Sequence, residues 1–148
     1  MIRFPATVRL DESDLQVFER AAEPGEWAVS GAFVFSSLPS EALSGKIAQA
    51  FASGFLGLAS FGWSTLVRVD EMPDRDYDTL LNSLAIHFVA RYGAPDLDSA
   101  LAIAREELEF STALCDHPLG TIIAVERSLD EDGIREAFRV VASAAPSD

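Results

Sequence analysis

The residues best placed to do chemistry lie in one short run, Cys115-Asp116-His117-Pro118, which puts a thiol, a carboxylate and an imidazole within three positions. A cysteine nucleophile with its base would need that grouping. The segment before it, 97–114, has helical periodicity. At about 100° per residue, Cys115 continues the line of Leu97, Leu101, Ala104 and Leu108. The helix phase therefore favours Cys115 as a buried small hydrophobe. Asp116 and His117 then fall at the helix C-terminus, where the dipole favours an imidazolium and Pro118 stops the helix.

Glu107 is the second candidate. On the same helix Asp98, Arg105, Glu106 and Glu109 cluster on one side, whereas Glu107 falls between Ile103, Phe110 and Leu114. The apolar arc there is about 200° wide, against the roughly 100° stripe that packing on a sheet requires. A buried carboxylate needs a partner or a raised pKa. As a functional group it would be a pocket acid or base. As a structural one it would be an interface or rim carboxylate paired with an Arg, and that second reading is favoured. Trp27 and Trp63 could wall a small apolar pocket as ligand-binding residues, although core packing is the commoner use of both. His87, at the edge of an apolar helix face, receives no role.

Other patterns carry less. Asp74-x-Asp76-x-Asp78 begins like a calcium loop, but positions six and twelve are Thr79 and Ala85 instead of Gly and Glu. The three acids read better as the first turn of a helix. Gly54-Phe55-Leu56-Gly57 and Phe61-Gly62-Trp63-Ser64 match no phosphate loop. With one Cys and two His, a zinc site would have to lean on carboxylates. Neither a metal nor a cofactor is expected.

The elements that must position these residues follow from periodicity and punctuation. The short apolar run 15–20 reads as an edge strand, and Glu23-Pro24-Gly25-Glu26 reads as a turn, type II in pattern. The segment 27–36 alternates as a second strand, which makes a hairpin with the first. The segment 40–53 has helical spacing, with Gly45 as a weak point. The segment 61–71 alternates, with Phe61, Trp63, Thr65, Val67 and Val69 on one face. Residues 74–92 and 97–114 are helices, the second capped by Asp96. The apolar, β-branched run 119–128 predicts a central strand. Ser128-Leu129-Asp130-Glu131 matches a capping box, and Ile134, Phe138 and Val141 predict a short helix after it. The order is β-β-α-β-α-α-β-α. It implies an α+β fold with one mixed, mainly antiparallel sheet of about four strands and helices on one face. One domain is expected over 1–143, with a frayed tail at 144–148.

Composition narrows the function classes. The chain has 148 residues, 49% of them hydrophobic, with 24 Asp plus Glu against 11 Lys plus Arg and a formal net charge of -13. The basic residues are few and scattered, so neither nucleic acid nor an anionic membrane surface is an expected partner. No apolar stretch approaches the roughly 20 residues of a spanning helix. A single Cys and the absence of an apolar stretch behind Met1 point to the cytoplasm.

The stretches 18–27 (Phe18 through Trp27), Phe61-Gly62-Trp63-Ser64, Ala94-Pro95-Asp96 and Cys115-Asp116-His117-Pro118 together span most of the chain. On these the chain resembles an uncharacterised family of small acidic bacterial proteins, a domain of unknown function. That resemblance implies a bacterial cytosolic protein and no activity. The wide arc on 97–114 and the lack of a catalytic constellation favour a non-enzymatic accessory or protein-interaction domain that forms a homodimer. The alternative is a small-molecule-binding protein or enzyme with a pocket between sheet and helices.

Overall fold

A computed structural model describes residues 1–36 and 38–143. The fold is α+β. The larger sheet is antiparallel, with strand order β1 (Ile2–Val8), β5 (Leu66–Met72), β6 (Ile122–Asp130), β7 (Gly133–Ala142). A smaller antiparallel sheet orders β2 (Ala28–Val29), β3 (Phe55–Gly57) and β4 (Trp63–Ser64). The helices are α1 (Ser13–Val17), α2 (Gly45–Ser53), α3 (Asp74–Arg91) and α4 (Leu97–Leu114), with 3-10 turns at Ala32–Phe35 and Ser40–Ala42. Among the described residues no helix is long and apolar enough to cross a membrane.

The two long helices form where periodicity places them. Leu81, Leu84, Ala85 and Phe88 recur at helical spacing on α3 and are buried. Ala100, Ala104 and Leu108 do the same on α4, and the two small alanines let neighbouring elements approach closely. The Asp96 side chain caps α4 by accepting from the Ser99 amide at 2.7 Å. Phe4, Val29, Leu56 and Met72 complete this core. A second cluster joins Val67, Val69, Ile123 and Val125 of the large sheet to Ala28, Phe55 and Cys115. A third holds Phe18, Phe35, Ala50 and Phe51.

Several local expectations are corrected. The run 15–20 is not an edge strand: Ser13–Val17 is a short helix. Asp14 holds it in place by accepting from the Thr65 hydroxyl at 2.6 Å. The edge strand is Ile2–Val8 instead, with Pro5 inside it, a position that the outer strand of a sheet tolerates. The expected hairpin of 15–20 with 27–36 is absent, because β2 pairs with β3. Strand 27–36 ends at Val29, where Gly31 turns the chain at φ 82° and a 3-10 turn follows. A Cβ on Gly31 would meet Leu56 and the Trp63 ring at 2.8 Å, so only glycine fits there. The helix over 40–53 is split by Gly45, which becomes the first residue of α2. The strand over 61–71 divides at Thr65 between the two sheets.

The largest correction is at 133–142. Instead of a short helix, it is a ten-residue strand. Residues Glu131-Asp132 make a two-residue loop between the paired Asp130 and Gly133, and Gly133 has φ 111°. The capping-box pattern at 128–131 is therefore the end of a hairpin strand. The tail at 144–148 lies outside the described residues.

Candidate functional site

A groove of about 600 Å³ opens between the small sheet and the C-terminal half of α3. Leu56 of β3, Trp63 of β4 and Val34 supply apolar lining. Phe61, His87 and Tyr92 supply further flat rings, and Arg20 and Arg91 supply the charge.

The loop that carries Phe61 is built on one buried acid. Glu26 accepts hydrogen bonds from the Glu23, Ala59 and Ser60 amides at 2.6, 2.9 and 2.7 Å, and from the Ser60 hydroxyl at 2.6 Å. Burial alone would raise its pKa, but these hydrogen bonds outweigh burial and lower it. Ser60 Oγ in turn accepts from the Gly62 amide at 3.0 Å. Gly62 lies flat on the 20–22 segment: a Cβ there would sit 2.7 Å from the Ala21 carbonyl. Between these fixed points Phe61 is held at φ 57°, among the described residues the only non-glycine with positive φ. For a bulky side chain that conformation costs roughly 1–2 kcal/mol. It places the Phe61 ring on His87, stacked at 3.9 Å and 10°. Tyr92 lies 5.4 Å from His87. Burial, and then the nearby Arg91, lower the His87 pKa and favour its neutral ring.

The backbone positions the arginines. The Trp63 amide donates to the Arg20 carbonyl at 2.9 Å and the Ala22 amide to the Trp63 carbonyl at 2.8 Å. The Arg20 side chain then reaches the Ser60 carbonyl at 3.2 Å. Arg91 occupies the last turn of α3, one turn beyond His87. Among the described residues neither arginine makes an ion pair.

The residues singled out from sequence lie apart from one another. Trp63 lines the groove. Trp27 does not, packing instead edge-on to Phe4 at 6.1 Å within the core. Cys115 is 1% exposed, and burial pushes its thiol up to about 12, far from a reactive thiolate. Asp116 is exposed. His117 is half-buried, and its carbonyl accepts from Arg3 Nη1 at 2.7 Å. Asp74 and Asp76 sit in the first turn of α3, and among the described residues no cluster of three metal-ligating side chains occurs.

Glu107 belongs to a second charged region. Arg127 of β6, wholly buried in its side chain, donates through Nε to Glu136 at 2.8 Å. Its Nη1 donates to the carbonyls of Ala50, Phe51 and Gly54 at 3.3, 3.0 and 2.7 Å, and its Nη2 donates to the Ser30 carbonyl. It thereby caps the C-terminus of α2 with a cation and ties α2 to the large sheet. Glu107 makes no ion pair among the described residues, since Glu136 takes the Arg127 contact. Burial first, then Glu136 and Glu106, raise the Glu107 pKa to about 7 against the opposing pull of Arg127.

Sequence reasoning missed Arg20, Glu26, Phe61, Arg91 and Arg127. A Pro-Gly turn followed directly by an acid marks Glu26, but nothing local tells which amides that acid will meet. Searches of curated proteins and of solved structures returned no match. The sequence profile of one family matches residues 1–147, and the chain belongs to that family, DUF6505, a family of unknown function.

Proposed function

We propose that this chain is a non-catalytic binding domain that takes a small molecule in the groove between the small sheet and α3. One observation carries the reading: Phe61 is held in a strained conformation by the Glu26–Ser60 network and lies against His87 at the groove wall. Strain that the surrounding structure over-determines is a mark of binding sites. The volume is within the usual range for small-molecule pockets, about 300–1,000 Å³. Among the described residues the lining contains no carboxylate, thiol or serine, and the imidazole it does contain, His87, is stacked on Phe61. A fragment screen followed by amide and side-chain NMR tests it. Shifts should concentrate on Phe61, the Trp63 indole, His87 and Tyr92. Fragment binding confined to other surfaces would remove the reading.

A second reading, the interaction domain that self-associates, is favoured by the α4–β7 side. Ile103 and Phe110 remain 46% and 43% exposed, and β7 is an outer strand on which Val140 is exposed as well. Phe110 is covered only in part, by Phe138 at 5.4 Å. An apolar side beside an open ten-residue strand edge suits a second copy of the chain. Light scattering at micromolar concentration should then give a dimer that Phe110→Glu dissociates. A monomeric parent protein would rule this out.

A further inference from the structure

We infer that the groove selects a flat anion, a conjugated ring system bearing one carboxylate or phosphate; this rests on the reading of the groove as a small-molecule site. The charge argument is local. The chain carries 24 acids against 11 bases, yet among the described residues the groove lining has two arginines and no acid. Arg20 is anchored to the Ser60 carbonyl at 3.2 Å, and Arg91 is fixed to the end of α3. Neither has a carboxylate partner among the described residues, so both guanidinium groups keep donors for a ligand. Guanidinium groups recognise carboxylate and phosphate oxygens through paired hydrogen bonds. The flatness argument comes from the rings. Phe61 and His87 form one stacked pair at 3.9 Å, with Tyr92 beside it and Trp63 in the wall. Val34 and Leu56 add apolar surface beside these rings.

Isothermal titration with 2-naphthoate, 2-naphthyl phosphate, the neutral 2-naphthamide and the non-planar cyclohexanecarboxylate tests this. Naphthoate or naphthyl phosphate should bind about tenfold or more tightly than the amide, as expected for a charge-assisted hydrogen bond. Whichever of the two binds more tightly identifies the anionic group. Cyclohexanecarboxylate should bind more weakly than naphthoate. In the Arg20→Gln/Arg91→Gln variant the preference for the acid over the amide should disappear while amide binding persists. Equal affinity for acid and amide, with shifts in the groove, would overturn the anion assignment and leave the groove reading standing. If no probe shifts the groove residues, both fail.

Discussion

The chain uses arginine in two opposite ways. At the α2–β6 junction Arg127 is wholly buried, and its donors reach one carboxylate and four backbone carbonyls. At the groove Arg20 and Arg91 are exposed and without ion pairs among the described residues. A saturated, buried guanidinium acts as a cross-link between elements. An unsaturated one beside aromatic rings keeps donors for the anion proposed above. Residue type alone does not separate the two roles: coordination does.

The comparison is easiest to break at Arg127. Arg127→Met leaves Glu136 half-buried without its partner and takes the arginine donors from four carbonyls, of which Ala50 keeps the Gly54 amide, so urea unfolding should show a loss of about 3–5 kcal/mol. A loss under about 1 kcal/mol would mean that the cross-link is not structural.

Glu107, which shares that region, gives a smaller and pH-dependent effect. Its folded pKa, about 7, lies above the ordinary 4.5, so the folded state holds more protons between those values. Stability therefore falls as pH rises from about 4.5 through 7, then levels off. Glu107→Gln should abolish that slope and stabilise the protein at pH 8 by roughly 2 kcal/mol, less than the full shift because the site is partly hydrated. At pH 4 the variant and parent should unfold together. A variant that retains the slope would assign the titration to another group.

Arg91→Gln is the smallest of the three. With no ion pair to lose among the described residues, it should change unfolding free energy by no more than about 0.5 kcal/mol. A cost as large as that at Arg127 would erase the distinction between the two regions.

Much of the fold was legible, but unevenly. Helices α3 and α4 begin and end where periodicity, Asp96 and Gly93 place them, since caps and amphipathic spacing act within a few residues. Strand β7 was not legible, and Glu136 is the reason. Ile134, Phe138 and Val140 alternate toward one face, but the inward position between the first two carries an acid because it faces Arg127 across the hairpin. Read locally, that acid breaks the period of two and leaves Ile134, Phe138 and Val141 as a false helical stripe. Of the site, Trp63 was visible as a ring on a strand, and Glu107 was visible as a carboxylate out of phase with its helix. Arg20 and Arg91 looked like ordinary surface cations.

By itself the sequence determined the two long helices, the α+β class, the strongly acidic balance and the burial of Cys115, because each depends on near neighbours along the chain or on composition. Only the tertiary structure decided the groove. Its wall needs residues 20–22, the loop at 57–62, Trp63 and the end of α3 to meet, and the contact that holds them, Glu26 to Ser60, joins residues 34 positions apart. No local pattern encodes which distant amides a buried acid will find, and so the charge of two arginines acquired meaning only once the chain had folded around them.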